Sequence, residues 1–234
     1  LELLKERVLR AYEEMEFHVI CQSVNAFCSV EMSAFYLDIL KDRLYSSRRG
    51  SLKRRSAQTA LYLILDSLVK LTAPVLSFTA DEVWRYMPKQ SAESVHLAEF
   101  PALSPEHRDD GLTSRWDTII RVRGEVSKAL ELARVQKVIG HSLDAAVTLA
   151  APEELLGFLK GCAAELKSVF IVSKVELASE IAGESVPAEN VEGLRIRVEA
   201  APGAKCERCW CYDEAIGTDA AHPTICPKCI EAVA

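Results

Sequence analysis

Two Cys-x-x-Cys pairs near the end of the chain constrain its fold more than any other feature. Cys206 and Cys209 form the first pair, Cys226 and Cys229 form the second, and sixteen residues separate the pairs. Two thiolates on one tight turn can bind the same ion, and four complete the tetrahedral shell that zinc prefers. Such a shell leaves no position for water or substrate. We therefore predict one structural zinc ion in a ribbon-like tail over residues 202–234, where metal binding stabilises a segment too short to build a core.

A second ligand set is compatible with the same stretch. Twelve residues separate Cys209 from His222 and three separate His222 from Cys226, so His222 could take the place of Cys229. We favour the four cysteines, because the Cys-Pro-Lys-Cys turn repeats the Cys-Glu-Arg-Cys turn. The intervening residues DEAIGTDAAHPTI are predicted to form a hairpin that returns the second pair to the first.

Four of the eight cysteines fall outside these pairs. Cys21, Cys28 and Cys162 lie in apolar, helix-like stretches, where a buried thiol behaves as a small hydrophobe. Cys211 follows Cys209 by two residues and is predicted to remain a free thiol on the hairpin. Clustered cysteines indicate a metal rather than disulfides, and the opening LELLKERVLR lacks the pattern of a signal peptide, so we expect a cytoplasmic protein.

Residues from Leu1 to about Met87 have the apolar spacing of helices. Apolar side chains recur every three or four residues, with Phe27 and Val30 among them. The pattern predicts four or five helices in a short antiparallel bundle, which we assign to residues 1–100. Pro74 should end or kink the long fourth helix, and Thr79-Ala-Asp-Glu82 has the spacing of a capping box that would start the next one.

A connector rich in Ser, Pro and Asp at residues 90–111 precedes a region of mixed pattern. We predict a helix from Ser114 to near Gly140, a strand in DAAVTLAA, a helix that starts at Pro152, and strands in FIVSKVEL and GLRIRVEA. Residues 112–200 are assigned to a small α+β domain. The predicted fold class is mainly α, with an antiparallel helical bundle followed by a small α+β domain and a four-cysteine zinc ribbon.

A net charge of −6 argues against nucleic-acid binding unless positive charge is concentrated locally. The segment KDRLYSSRRGSLKRR supplies such a concentration, because its only acid is Asp42. Its seven cations are Lys41, Arg43, Arg48, Arg49, Lys53, Arg54 and Arg55. A cluster of this kind between two helices can bind phosphates, and Tyr45 can stack on an unpaired base. A solvated turn whose arginines pair with nearby carboxylates fits the same residues.

The zinc tail is not basic, so contact with RNA there would depend on shape and stacking. Trp210 offers an aromatic plane for a base, and Arg208 beside it can reach a phosphate. Alternatively, Trp210 covers the zinc site. A sparser basic set on the helix after the connector is diluted by glutamates and is predicted to be a solvated face. It comprises Arg121, Arg123, Lys128, Arg134 and Lys137.

Motifs for catalysis do not occur in the sequence. There is no Gly-rich phosphate loop, no HExxH and no GxSxG, and the five histidines are scattered. We therefore predict no catalytic residue. The most apolar stretch, TALYLILDSLVKLTAPVLSF, is interrupted by Asp66 and Lys70, so we expect no membrane partner.

Several stretches resemble the bacterial isoleucyl-tRNA synthetases, which are class I aminoacyl-tRNA synthetases. FCSVEMSAFYLDILKDRLY, followed by RRSAQTALYLILDSLVKLTAPVLSFTADEVW, is similar to their anticodon-binding helical domain. VRGEVSKALELARVQKVIGHSLDAAV and KCERCW...CPKC are similar to their C-terminal junction and zinc-binding domains. The resemblance extends in order over almost the whole chain. The helical part is shared with the valyl and leucyl enzymes, and the four-cysteine knot narrows the match to the isoleucyl one.

The resemblance implies a fragment that binds isoleucine tRNA without charging it. In these ligases ATP and the amino acid bind a Rossmann domain with HIGH and KMSKS motifs, and an inserted domain edits mischarged tRNA; neither is found in this sequence. The implied zinc ligands are the cysteines of the two pairs, and Arg208 and Trp210 become candidates for contact with the anticodon stem-loop. The implied partners are tRNA and the missing N-terminal catalytic and editing domains, and we expect a monomer.

Two other classes of protein fit part of the pattern. DNA-repair glycosylases have a C-terminal zinc finger of the same spacing, although they require a proline-led catalytic N-terminus and an arginine at the hairpin tip, where this chain has Gly-Thr-Asp. A purely structural module that docks against other domains, with zinc stapling its end, is the other alternative.

Overall fold

The computed structural model describes residues 1–88 and 91–233, which divide into two compact units. The first unit contains Leu1–Asp38 and Gly50–Asp109. The second contains Ile39–Arg49 and the chain from Asp110 onward, and so includes both the predicted α+β region and the zinc tail. Gln90, where the predicted connector begins, and the last residue of the predicted tail lie outside the described residues. No helix in the described ranges is long and apolar enough to cross a membrane.

Most of the described residues are helical, as the sequence predicts. The helices are α1 Glu2–Glu13, α2 Phe17–Ala26, α3 Leu37–Tyr45, α4 Leu52–Thr72, α5 Ser77–Tyr86, α6 Asp110–Val135, α7 Glu153–Gly161, α8 Ala163–Phe170 and α9 Pro227–Val233, with a π-helical segment, Phe27–Tyr36, between α2 and α3. The strands are β1 Ala145–Ala150, β2 Lys174–Ala178, β3 Val186–Pro187, β4 Arg195–Ala200, β5 Ala204–Lys205 and β6 Tyr212–Asp213.

The first unit is a helical bundle whose core follows the predicted apolar spacing. Leu4, Val8 and Ala11 recur on one face of α1 and are buried with Ile20 of α2 and Leu71 of α4. The α1 and α4 helices are also joined by a hydrogen bond from the Tyr12 hydroxyl to the Leu71 carbonyl, at 2.8 Å. A second cluster surrounds Trp84 of α5. Burial of these stripes holds together helices that would be marginal alone.

Local signals in this unit were only partly reliable. Helix α4 ends at Thr72, two residues before Pro74, as predicted. The capping box at Thr79 was wrong, because α5 already begins at Ser77. The Leu76 N–H donates to the Thr72 carbonyl, and the Ala80 N–H then donates to Leu76, so the turn after α4 leads directly into α5.

The π-helical segment changes which apolar residues face the core. Hydrogen bonds from i to i+5 bring residues five apart onto one face. Phe27 and Met32 are accordingly buried, whereas Val30, which an α-helical spacing would bury, is exposed. The expectation of buried thiols also fails here, because Cys21 and Cys28 are exposed; Cys162 is buried.

The second unit packs helices on a mixed four-stranded sheet of order β2-β1-β4-β3. Strands β1 and β2 are parallel and are connected through α7 and α8, while β4 is antiparallel to both β1 and β3. The predicted strands are confirmed. The predicted helix after the connector starts earlier, at Asp110, and ends at Val135. The single helix predicted from Pro152 is divided at Cys162 into α7 and α8.

Glu125 is a buried carboxylate on α6. It accepts hydrogen bonds from the Asn190 side-chain amide and the Glu189 backbone N–H, both at 2.8 Å. The Lys128 ammonium lies 3.1 Å away. Hydrogen bonds from Asn190 and Glu189 lower the pKa of Glu125 to about 2, with a further contribution from Lys128, although burial raises it. The carboxylate therefore joins α6 to the loop before β4.

We expect Glu125→Gln to lower the free energy of unfolding of this chain by about 1.5–3 kcal/mol near neutral pH, because an amide has one acceptor where the carboxylate serves three donors. The folded-state pKa of about 2 lies below the ordinary 4.5. The stabilisation is therefore present above about pH 4.5 and is lost as pH falls toward 2. Chemical denaturation between pH 5 and pH 2.5, with the exposed Glu131→Gln on the same helix as control, measures the difference. Parallel pH profiles for the two variants would contradict this role.

Candidate zinc centre and nucleic-acid interface

The structure brings the sulfurs of the four predicted ligands, Cys206, Cys209, Cys226 and Cys229, to within 4.8 Å of one another. Three of these side chains are buried and that of Cys209 is half-buried. The Cys209 and Cys226 sulfurs are 3.7 Å apart. Two sulfurs of a tetrahedral site with Zn–S bonds of about 2.3 Å are separated by about 3.8 Å, so the donor set fits zinc in both chemistry and spacing.

Backbone hydrogen bonds shape each pair into a compact turn. In the first, the Cys206 N–H donates to the Cys211 carbonyl and the Trp210 N–H donates to the Cys206 carbonyl, both at 2.9 Å. In the second, the Cys229 N–H donates to the Cys226 carbonyl at 2.8 Å, at the start of α9. The Cys226 N–H also points to the Cys206 sulfur, at 3.3 Å, which connects the two turns. Amide donors of this kind stabilise thiolates.

The predicted hairpin between the pairs was wrong in its location. Residues 214–225 form turns and contain no strand. The two-stranded sheet is formed by β5 and β6, which flank the first pair. Gly203 precedes β5 with φ +91°, and a Cβ there would lie 2.4 Å from the Asp213 backbone. The close approach of β6 to the turn before β5 therefore requires a glycine, a signal that the sequence analysis missed.

We expect Gly203→Ala to destabilise the zinc-binding tail by about 1–3 kcal/mol or more, because the backbone clash adds to the cost of the positive φ. Gly217→Ala is the matched control. Gly217 has φ +94°, but a Cβ there meets its nearest atom only at 4.0 Å. Thermal unfolding and zinc retention against a chelator would rank the variants. Equal losses would show that the approach to Asp213 is unimportant.

The rival ligand set is not assembled. Among the described residues, the four cysteines are the one cluster of three or more possible ligands with suitable spacing. His222 lies exposed outside it, and its backbone N–H is bonded to Asp219. Cys211 is half-buried and also lies outside the four-sulfur cluster. Its predicted state as a free thiol remains a prediction.

The zinc module, which we define as residues 202–233, is packed onto the rest of the second unit. The Tyr212 N–H donates to the Ser173 hydroxyl at 2.7 Å, which attaches β6 to the end of the sheet. On another side, the Lys228 ammonium forms an ion pair with Asp42 of α3. The Arg208 guanidinium donates to the Ser46 carbonyl just after α3. Asp42, the only acid in the basic segment, is the sequence feature that could have predicted the ion pair with Lys228.

Trp210 has an unusual backbone and an exposed side chain. Its φ is +65°, in the left-handed region that is costly for a residue with a bulky side chain. The residue is 62% exposed, and it is not part of the apolar cluster around the cysteines, which includes Ile216 and Ile225 instead. These facts favour a surface platform over a cover for the zinc site.

The seven cations of the basic segment belong to both units. Lys41 and Arg43 lie on α3, and Arg48 and Arg49 lie in the loop after it, all in the second unit. The other three occupy the first turn of α4, in the first unit: Lys53, Arg54 and Arg55. Arg43 and Arg54 are half-buried and the rest are exposed, as is Tyr45. That they all bind RNA remains a prediction.

The sparser basic set on α6 is engaged within the second unit. Arg123 donates to the Val169 carbonyl at 3.0 Å, and Arg134 pairs with Glu131. Lys128 bridges Glu125 and Glu189. Arg121, Lys128, Arg134 and Lys137 are exposed, as predicted for a solvated face, whereas Arg123 is half-buried.

Comparison with known proteins assigns the chain to a class. Residues 1–149 match the family described as "Anticodon-binding domain of tRNA ligase", and residues 203–232 match that described as "Zinc finger found in FPG and IleRS". The chain belongs to the anticodon-binding domain family of tRNA ligases. The finger match and the four-cysteine cluster together support zinc as the cofactor.

Relatives narrow the class to one ligase. The chain is 64% identical over 233 residues to isoleucine–tRNA ligase of Geobacter sulfurreducens, a match that covers 100% of this chain and 25% of the relative. The corresponding enzyme of Syntrophotalea carbinolica is 53% identical over 231 residues, with 98% of this chain and 25% of the relative covered. The chain thus spans about a quarter of the length of the curated relatives it matches. The predicted resemblance to isoleucyl-tRNA synthetases is confirmed.

Proposed function

We propose that this chain is the tRNA-recognition module of an isoleucine–tRNA ligase, which grips the anticodon arm of isoleucine tRNA. Aminoacylation and editing belong in this proposal to the other three quarters of the enzyme, and the chain alone charges no tRNA. The observation that carries the proposal is the exposed Trp210 indole, held on a zinc-stapled turn in the unit that also contains the basic residues of α3.

Trp210 provides the stacking surface. A left-handed φ at a bulky residue is retained when the surroundings enforce it, and such strain is concentrated at functional sites. Here the Trp210 N–H bond to Cys206 closes the first zinc turn and keeps the indole outward. An exposed indole can stack on an unpaired base of an anticodon loop.

Each unit has its own set of cations that can bind the phosphates of tRNA. In the second unit we assign this role to Lys41, Arg43, Arg48 and Arg49. In the first unit Lys53, Arg54 and Arg55 crowd the first turn of α4, which contains no acidic residue. Positive side chains at a helix N-terminus are electrostatically unfavourable, and a phosphate bound there would offset both them and the helix dipole.

The zinc site is proposed to be structural, with Cys206, Cys209, Cys226 and Cys229 as its four ligands. Four thiolates leave no coordination position open for catalysis. A glycosylase activity is not supported, since the anticodon-binding match covers residues 1–149 and the turn at Gly217 carries no arginine.

We also propose that the protein is cytoplasmic and monomeric. Size-exclusion chromatography with light scattering tests the monomeric state.

The test is binding to a panel of tRNAs at 50 and 200 mM salt. We expect isoleucine tRNA to bind more tightly than the others, with a steep salt dependence and no aminoacylation. Trp210→Ala should weaken binding by about 1–3 kcal/mol, or about 5- to 150-fold, with zinc content unchanged. Tyr86→Ala, another exposed aromatic but in the first unit, is the control. Unchanged affinity in Trp210→Ala would favour the structural docking module instead.

A further inference from the structure

Arg208 lies between the zinc site and the end of α3. One guanidinium nitrogen, Nη1, is within hydrogen-bond distance of both the Ser46 carbonyl, at 2.5 Å, and the Cys229 sulfur, at 3.5 Å. An NH₂ group carries two hydrogens, so a single nitrogen can donate to both acceptors. The Arg208 side chain is half-buried and the Ser46 residue is buried. The guanidinium is thus directed into the protein rather than toward solvent.

Charge explains why a cation occupies this position. Four thiolates around one Zn²⁺ carry two net negative charges, which hydrogen-bond donors and cations in the surroundings must balance. Arg208 contacts one of these sulfurs directly. Lys228 lies between the ligands Cys226 and Cys229 in the sequence and pairs with Asp42. Both cations therefore join the zinc site to residues 39–49.

In the part of the chain that the structure describes, Arg208 is the hydrogen-bond donor to the Ser46 carbonyl. Ser46 follows the last residue of α3, and its N–H completes the helix by donating to the Asp42 carbonyl at 3.0 Å. The final carbonyls of a helix have no intrahelical donor and carry its negative dipole end. A guanidinium satisfies such a carbonyl and favours one path of the chain beyond it. That path leads directly to Arg48 and Arg49.

We propose that Arg208 is a positioning residue that couples zinc binding to the conformation of the basic segment Lys41–Arg49, and that it acts through Cys229 and Ser46 rather than by touching RNA. Zinc loading holds the second turn in place, the Cys229 thiolate and the Ser46 carbonyl hold the guanidinium, and the guanidinium orders the loop that carries the phosphate-binding arginines. The coupling itself is independent of RNA; its consequence for binding rests on the proposed function.

Hydrogen–deuterium exchange on the 234-residue chain tests the coupling without RNA. We expect exchange of the Ser46 amide, which is bonded to the Asp42 carbonyl, to rise about tenfold or more when zinc is removed from the wild-type chain with a chelator. In zinc-loaded Arg208→Gln and Arg208→Lys, the same amide should already exchange faster while the amides of residues 226–233 stay protected. Lysine keeps the charge but lacks the planar fork that reaches both acceptors. Arg121→Gln, an exposed arginine on α6, should leave both regions unchanged.

Two outcomes would overturn the proposal. One is a zinc-loaded Arg208→Gln chain in which the Ser46 amide is as protected as in the wild type. The other is an Arg208→Lys chain with full protection and full tRNA affinity, which would identify Arg208 as a simple charge that contacts phosphate. If exchange responds as expected but the wild-type chain binds no tRNA, the coupling stands and the proposed function fails.

Discussion

Replacing Cys206 with Ser is expected to release zinc from the chain and unfold the zinc module. Cys206 is fully buried, and its sulfur accepts the Cys226 N–H, so the variant loses a ligand and leaves a poorly matched hydroxyl at the centre of the site. Zinc binding contributes about 10–16 kcal/mol in small zinc-finger peptides. A module whose apolar core besides the cysteines includes little more than Ile216 and Ile225 has no comparable alternative source of stability.

Zinc content after dialysis against a weak chelator, followed by exchange protection of residues 202–233, measures this loss. Cys211→Ser and His222→Ala are the matched controls, because both side chains lie outside the four-sulfur cluster. Each control should retain about one zinc per chain. Zinc loss in Cys211→Ser, or retention in Cys206→Ser, would show that the ligand set is different.

The second large effect is expected from removal of the positive charge near the zinc module. A variant with Lys41, Arg43, Arg48 and Arg49 all changed to Gln should bind isoleucine tRNA about two orders of magnitude more weakly near 0.15 M salt. When a phosphate contact is lost, binding of the tRNA releases fewer counterions. The slope of log K against log salt should therefore decrease by about 3.

A charge-matched variant separates local contacts from the effect of net charge. Changing Arg121, Lys137, Lys160 and Arg195 to Gln removes the same number of positive charges elsewhere on the second unit, from side chains that are all exposed. Its affinity and salt slope should stay close to the wild type. Equal weakening of both variants would indicate that binding depends on overall charge, which at −6 is already unfavourable.

Features that depend on short-range covalent geometry were predictable from the sequence. The x-x spacing of each cysteine pair permits one tight turn, and the four sulfurs do meet. Pro74 prevents α4 from continuing, and α4 ends at Thr72. The alternation in GLRIRVEA predicts β4 because successive side chains of a strand point to opposite faces, and Ile196 is buried while Arg195 is exposed.

Predictions failed where neighbouring structure outweighed a local signal. The capping box at Thr79 is a valid N-terminal motif, but the turn that follows Thr72 starts α5 earlier. The apolar spacing through Val30 assumed an α-helix, and the π-helical segment turned that side chain outward. The hairpin was placed between the cysteine pairs because no local signal shows that Ala204 and Lys205 would pair with β6.

The sequence by itself determined the zinc site, the helical character of the first unit and the membership of the family, because each is encoded by spacing within a few residues or by similarity along the chain. Only the tertiary structure decided what the zinc module is attached to. The Arg208 and Ser46 partners are 162 residues apart in the chain, and no periodicity or motif links them. Their contact results from the folding of the whole second unit, which places a carbonyl at the end of α3 and the Cys229 sulfur beside one guanidinium.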